Sequence, residues 1–217
     1  MSEDRIAKGR ALSFERTFVM IKPDGVMRGL IGTIIQRFEQ RGLKIIALKM
    51  VQPTRDQVHN FYPKEAAWVE RLGEKTLKTF ETFKVDPNEY LGTDKKEEIG
   101  QQVRDSLLEY ITMGPVVCMV IEVIHACTTV RKLIGDTRPI EAAVGTIRGD
   151  FSVDAATASN TGGRSLFNII HGSEFPDEAA EEIAYWFSPE DIHDYYRTDD
   201  SIAYGDRRHE DFSKSGR

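Results

Sequence analysis

The chain alternates short, wholly apolar runs with longer stretches in which apolar residues recur every three or four positions. Thr17 to Ile21 (TFVMI) is a β-prone run stopped by KPDG, the pattern of a buried strand feeding a loop. Leu30, Ile31, Ile34, Ile35 and Phe38 then follow helical spacing, with Gly42 where a left-handed C-terminal cap is wanted. Leu43 to Val51 returns to strand character. Thr54, with Gln57 three residues on, forms a capping box for a short helix reaching Tyr62. From Lys64 to about Gln102 long charged side chains surround Trp68, Leu72, Phe80 and Phe83, with breaks at Pro87 and Gly92. This predicts two peripheral helices covering an edge, to which we assign no chemistry. Pro115 to Val123 is nearly all apolar, as a covered central strand should be. Cys127 to Ile134 reads as a helix stopping at Gly135. The polar stretch Asp136 to Arg164 is too long for an idle connection. Leu166 to His171 is the last strand, and Ala179, Ala180, Ile183, Ala184 and Phe187 repeat the helical stripe. Two βαβ-like halves result. They predict an α+β ferredoxin-like sandwich, a four-stranded antiparallel sheet with helices on one face, plus an inserted helical segment.

Length and composition narrow this only slightly. At 217 residues the chain fits one compact domain carrying insertions. Hydrophobic content of 40% and charged content of 29% argue against disorder and against a fibrous architecture. A net charge of -6 offers no basic field, which disfavours a nucleic-acid partner and makes any phosphate site a local one. Cys118 and Cys127 form no CxxC pair and read as buried thiols. The start, MSEDRIAKGR, has no apolar core of a leader, and no stretch approaches the ~18 apolar residues of a membrane helix, so we expect no membrane and a cytoplasmic location. The tail after Tyr195 mixes aromatics with charges and either docks on a surface or stays partly mobile.

The chemistry concentrates in three places. In NIIHGSE, Asn168 to Glu174, a histidine stands at a strand end before Gly172 and a helix that Ser173 could cap. A neutral imidazole nitrogen is a competent nucleophile toward phosphorus when an acceptor holds the other nitrogen, and Glu182 in the following helix is the candidate acceptor. The bland alternative is a core histidine satisfied by backbone. In KPDG, Lys22 follows a strand and points at the sheet's end, where its ammonium could neutralise a transferring phosphoryl group. By itself that is a generic turn. Arg131, Thr137 and Arg148 supply guanidinium forks and a hydroxyl suited to phosphate oxygens. Any one of these arginines could instead pair with Asp136, Glu141 or Asp150, and only their joint occurrence favours a site. Tyr62 could stack a base or donate to phosphates, or simply be core.

With these residues assembled, the chain resembles the nucleoside diphosphate kinase family: ERTFVMIKPDGVMRG, MGPVV, GTIRGDF, NIIHGS and EEIAYWF occur in the family's order over most of Glu15 to Tyr195. The resemblance implies a kinase domain over 15–196, with insertions at about 64–102 and about 152–165, an N-terminal extension over 1–14 and a tail over 197–217. It implies a ping-pong cycle in which ATP phosphorylates His171 and a second nucleoside diphosphate collects the group. By motif position Lys22, Tyr62, Arg131, Thr137, Arg148 and Asn168 fall on phosphate and sugar ligands, and Glu182 on the carboxylate that orients the histidine. Mg²⁺ is implied as an ion bridging the phosphates, with no direct protein ligand and Glu174 within reach through water. A dimer-based tetramer or hexamer is the implied assembly. The chain departs from the pattern where the family offers a phenylalanine to the base: counting back from Gly114 reaches Val103. Either Phe80, Phe83 or Tyr90 of the insertion replaces it, or the base is gripped less firmly. The longer path between Arg148 and Asn168 and the extended C-terminus are further departures. A nucleotide-binding scaffold without fast turnover is the competing function.

Overall fold

The computed structural model describes residues 14–198 and 200–204, so the expected N-terminal extension, apart from Phe14, and most of the tail lie outside the described residues. Its centre is a four-stranded antiparallel sheet of β1 (Phe14–Ile21), β2 (Lys44–Val51), β3 (Val116–Ile124) and β4 (Ile170–Gly172), in the order β2-β3-β1-β4. β1 lies inside the sheet and pairs with β3 on one side and β4 on the other. This is the ferredoxin-like order expected from the alternation of strands and helices.

The helices, however, cover both faces rather than one. Val19 and Ile21 point into a core built with Ile34 and Phe38 of α2 (Ile31–Gln40) and Val130 and Ile134 of α7 (Ala126–Ile134). Phe18 and Met20 point the other way, into a core with Val58 of α3 (Arg55–Phe61), Leu108 and Ile111 of α6 (Lys96–Thr112), and Trp186 of α10 (Pro176–Trp186). The physical reason lies in the strands themselves. TFVMI and VVCMVIEV show no apolar/polar alternation, so each face carries apolar surface that must be removed from water. Both thiols are buried in this sandwich.

Local signals worked as predicted at two boundaries. Gly42 adopts φ +83°, with Leu43 N–H donating to Phe38 O, the left-handed termination of α2. Thr54 and Gln57 exchange both hydrogen bonds of the capping box at α3.

The stretch read as an insertion, about 64–102, holds α4 (Ala66–Phe83), α5 (Pro87–Leu91) and the start of α6. α4 and α6 pack with Gly73 and Gly100 at the crossing, where an added Cβ would stand 1.9 Å and 2.1 Å from the carbonyl oxygens of Lys96 and Val69. Backbones meet so closely only where neither residue has a side chain. α6 also corrects the expectation of a purely peripheral insertion. It runs past Gln102 to Thr112, and its second half enters the core with Leu108, Tyr110 and Ile111. The polar stretch after β3 is not a bare loop either. It holds a 3-10 turn (Pro139–Glu141), α8 (Ile147–Phe151) and α9 (Ala156–Thr161), and α9 packs against α4 and α5. Ser106 Oγ adds a hydrogen bond to Gly163 O, so the two expected insertions form one contiguous layer.

The last strand is shorter than its apolar pattern predicts. Ile169 has φ +67°, and Ile170 N–H donates to Asn168 O at 2.7 Å, a γ-turn that ends the ladder before Ile170. Beyond α10 the chain straps along β2: His193 N–H donates to Ile46 O, Tyr195 hydroxyl to Ile45 O, and Arg197 to Leu43 O. This first part of the tail is docked. A register shift between Ile45 and Ala47 opens β2 at that point.

Candidate active site

Four short pieces of chain meet at the end of the sheet: the turn after β1, the γ-turn before β4, α8, and α10. The turn after β1 starts α1 (Pro23–Met27), whose Gly25 faces the γ-turn. A Cβ there would meet Ile21 Cγ2 at 2.9 Å and Ile169 O at 3.1 Å, so glycine lets the two turns close on each other. Lys22 N–H donates to Ile169 O at 2.7 Å, which ties them together.

Asn168 is the junction. Its Oδ1 accepts from Lys22 Nζ at 2.7 Å, its Nδ2 donates to Thr137 O at 3.0 Å, and its carbonyl accepts from Arg148 Nε at 3.2 Å. The Arg148 guanidinium also donates to Gly135 O at 3.0 Å and Ile170 O at 2.6 Å. Lys22, Arg148 and Asn168 are all buried. Burial, and secondarily the nearby Arg148 charge, push the Lys22 ammonium down to about 7, with Asp24 opposing the shift. Burial likewise lowers Arg148, to about 10, with the Arg131 charge adding to it, so it stays cationic at neutral pH. Two buried cations are thus held at one edge of the sheet by carbonyls and an amide rather than by direct ion pairs.

His171 lies in the middle of β4, opposite Met20, not at the strand's end as its sequence suggested. Its side chain keeps 20% of its surface exposed, and Nε2 donates to Glu182 Oε1 at 2.7 Å. The acceptor is therefore a carboxylate, not backbone. Glu182 Oε2 accepts from Ser173 Oγ at 2.6 Å, and Ser173 Oγ in turn accepts from Phe18 N–H at 3.2 Å. Ser173 is fully buried and does not cap α10, which instead starts after Phe175 with Pro at its first position. With Nε2 carrying the proton toward Glu182, a neutral ring presents its in-plane lone pair at Nδ1. Phe18 and Phe61 flank the imidazole at centroid distances of 6.0 Å and 5.9 Å and fix its plane.

The remaining sequence candidates gather less tightly. Thr137 enters through its backbone carbonyl on Asn168. Arg131, 44% exposed, faces Glu174 at 3.8 Å. Tyr62 packs edge-on against Phe61 at 5.1 Å, and burial and the Glu182 charge raise its hydroxyl well above the ordinary tyrosine value. Of the insertion's aromatics, Phe80 and Tyr90 pair with each other at 6.3 Å, and Phe83 ends α4 with 59% of its surface exposed. They stand at the far end of a helix that begins near Tyr62, roughly 20 Å away at 1.5 Å per residue. The insertion's ring that meets this region is Trp68, stacked on Tyr62 at 6.4 Å. Val103 is followed by Arg104, whose guanidinium donates to the carbonyls of His59 and Pro63 on either side of Tyr62.

Three residues escaped the sequence pattern: Ser173, read as a cap; Asp24, read as turn punctuation; and Tyr110, in the stretch between Gln102 and Pro115 to which no element was assigned. The signal available for Tyr110 was its place just before the MGPVV strand, and none singled out its hydroxyl.

An imidazole held by a carboxylate, with two buried cations on neighbouring turns of a ferredoxin-like sheet, is an arrangement suited to phosphoryl transfer. Comparison with known proteins gives the family. The model of the family described as Nucleoside diphosphate kinase matches residues 15–69 and 94–192, the interruption falling inside the α4–α6 segment. The nucleoside diphosphate kinase of Pyrobaculum aerophilum is 44% identical over 178 residues, covering 82% of this chain and 97% of that relative. That of Archaeoglobus fulgidus is 39% identical over 193 residues, covering 89% and 99%. Among solved structures, an NDP kinase from Pyrobaculum aerophilum superposes with a TM-score of 0.81 at 42% identity, covering 84% of this chain and all of that one. A transition state mimic of the Borrelia burgdorferi enzyme with bound vanadate and ADP gives 0.70 at 33%, covering 88% and 98%. The chain belongs to the nucleoside diphosphate kinase family, and it is a nucleotide-binding enzyme. Among the described residues no helix is long and apolar enough to cross a membrane.

Proposed function

We propose that this enzyme moves a γ-phosphoryl group from ATP to nucleoside diphosphates through a phosphohistidine at His171. In the first half-reaction Nδ1 attacks the γ-phosphorus, the N–P bond forms, and the P–O bond to ADP breaks with its electron pair leaving on the β-phosphate oxygen. A second diphosphate then attacks the same phosphorus through its terminal oxygen, and the N–P pair returns to the ring. The observation that carries this is the 2.7 Å bond from Nε2 to Glu182, itself held by Ser173, because it fixes both the tautomer and the direction of the nucleophilic nitrogen. Lys22 and Arg148 supply buried positive charge for the transferring phosphoryl group. Arg131, Thr137, Asn168 and Tyr62 complete the nucleotide's polar contacts.

Brief incubation with γ-labelled ATP and Mg²⁺ tests the proposal. Stoichiometric, acid-labile and base-stable label that chases onto added GDP is expected, and nucleotide binding without such label would identify a scaffold instead.

Among the described residues no group of three or more His, Cys, Asp or Glu side chains could hold a metal ion. Glu174 offers one exposed carboxylate beside Arg131. That donor set suits an ion carried on nucleotide phosphates and reached through water, and it does not suit an ion bound by the protein alone. Mg²⁺ bound in this way supplies charge neutralisation to the phosphates, while the chain's own residues bind and orient them.

Glu182→Ala should slow His171 phosphorylation by roughly two orders of magnitude while nucleotide affinity stays within a few-fold, because it removes orientation rather than contact. Stopped-flow phosphorylation and equilibrium binding separate the two, and weakened binding with unchanged chemistry would refute the role.

Lys22 gives the nucleotide complex a pH signature. Its free ammonium titrates near 7, and an adjacent polyphosphate returns it toward the ordinary lysine value of about 10.4. Binding then takes up a proton between those limits. Calorimetry of ADP binding at about pH 8 should report uptake approaching one proton from the dependence on buffer ionisation heat, and little at about pH 6. Heats independent of buffer at the higher pH would exclude it.

We further place the enzyme in the cytoplasm as a homo-oligomer built from dimers into a tetramer or hexamer. Support for self-association comes from the outer half of β2, where Leu48 and Met50 are 52% and 57% exposed on an edge strand. Leu48→Lys should shift the sedimenting species to a smaller assembly, and an unchanged sedimentation coefficient would move the interface elsewhere.

A further inference from the structure

We propose that Asp24, acting with the Tyr110 hydroxyl, is a positioning group of the site: its two carboxylate oxygens hold the Asn168–Ile170 turn and thereby set where Lys22, Asn168 and His171 stand. This rests on His171 being the nucleophile. Asp24 sits in KPDG, and its side chain is buried. Oδ1 accepts from Tyr110 hydroxyl at 2.6 Å, and Oδ2 accepts from Ile169 N–H at 3.1 Å. Tyr110 oxygen in turn accepts from Asn168 N–H at 3.3 Å, while its ring lies 5.3 Å from Lys22 Nζ. One carboxylate and one phenol therefore receive the consecutive N–H groups of Asn168 and Ile169.

Those groups need holding. A β-branched residue at φ +67° is strained and persists only where its surroundings over-determine it. The turn's carbonyls are held by Lys22 N–H on Ile169 O and by Arg148 on Ile170 O. Asp24 and Tyr110 hold its N–H groups. Two residues beyond Ile169 is His171, and one residue before it is the amide that receives Lys22. Relaxing the turn moves nucleophile and cation relative to each other, and a displacement near 1 Å costs about 10²-fold in rate. Phe167, whose ring packs tilted against Tyr110 at 4.8 Å, helps keep the phenol in place.

The charged and titratable groups facing Lys22 are Arg148 from α8, Asp24 from α1 and, through its ring, Tyr110 from α6. Arg131 and Asp136 act on Arg148 in turn. Removing the Asp24 charge leaves burial and Arg148 unopposed, so the Lys22 ammonium loses its proton at lower pH.

The test uses the intact chain with Asp24→Asn, which keeps the shape and removes the charge and one acceptor, and Tyr110→Phe, which removes only the hydroxyl. Trace acetylation of the lysines over a pH series, read by mass spectrometry, gives the Lys22 titration without turnover. Rapid-quench measurement gives the rate of His171 phosphorylation. Asp24→Asn should displace the Lys22 titration downward by at least about half a pH unit and slow phosphorylation roughly 10–100-fold, with ADP affinity changed less than about five-fold. Tyr110→Phe should slow phosphorylation with little displacement of the titration. A purely structural role would lower the melting temperature and leave both readouts in place, and that result overturns the proposal. So does a change in either Asp24→Asn readout without the other. If Asp24→Asn does not fold, an undiminished rate in Tyr110→Phe overturns the proposal and a slowed one supports it. A wild-type chain that forms no phosphohistidine defeats the proposed function instead, and the Lys22 titration still decides whether Asp24 governs this cluster.

Discussion

His171→Ala should reduce nucleotide exchange by roughly 10⁴-fold or more and leave no acid-labile label on the protein. The size follows from what the ring does. It is the only group proposed to bond covalently to the transferring phosphorus, and its Nε2 hydrogen bond to Glu182 fixes which nitrogen does so. In the proposed cycle donor and acceptor use the site in turn, so direct transfer between two nucleotides offers no parallel route. The fold should tolerate the change, because the imidazole is partly exposed and its one close partner, Glu182, keeps a hydrogen bond from Ser173. Equal labelling of wild type and variant after quenching would remove His171 from the mechanism.

The second large effect is on stability. Arg148→Lys keeps the charge and loses the fork. The guanidinium serves three carbonyls, those of Gly135, Asn168 and Ile170, which come from two separate segments of chain. A lysine ammonium at the end of a flexible stem cannot reach all three with good geometry. Asn168 O keeps the Ile170 N–H, so the loss falls on Ile170 O and Gly135 O, and a buried carbonyl left without a donor costs about 1–3 kcal/mol. A loss of that size corresponds to a fall in melting temperature of about 3–12 °C for a domain of this size. Activity should fall by about 10²-fold or more besides, because the Asn168–His171 segment is no longer fixed. Scanning calorimetry decides: a melting temperature within about 2 °C of wild type would show that the carbonyls find other partners. Arg131→Lys is the contrast, since Arg131 is 44% exposed with an acidic neighbour at 3.8 Å, and its replacement should leave stability nearly unchanged.

Strands and helix ends were legible in the sequence because their signals are local. Apolar runs, the Thr54 capping box and Gly42 each act within a few residues, and the structure repeats them. The double-sided covering of the sheet was written in the unbroken apolar character of β1 and β3, although one-faced packing was expected. His171, Glu182, Lys22, Asn168 and Arg148 were legible by motif. Their connections were not, since Lys22 to Asn168 and Arg148 to three carbonyls depend on how distant turns fold onto one another. Tyr110 was hidden for the same reason: a helix stripe shows which side is buried but not that a hydroxyl on it meets Asp24. The abrupt start of β4 depends on a positive φ at an isoleucine, which no propensity anticipates. Phe80 and Phe83 stand apart from Tyr62 because α4 carries its far end well away from the residue that starts it, and Tyr90 packs on Phe80 there.

The layer shared by α4, α5 and α9 bears on ancestry. Two segments far apart along the chain lean on each other, and Ser159 of α9 is sealed from water in that layer. Either one gained alone would have left a surface with nothing to rest against, and either one lost alone would strand the other. They should therefore be inherited together, both present or both missing from lineage to lineage, and a shortened descendant that keeps only one should have mutated the abandoned side toward polar residues.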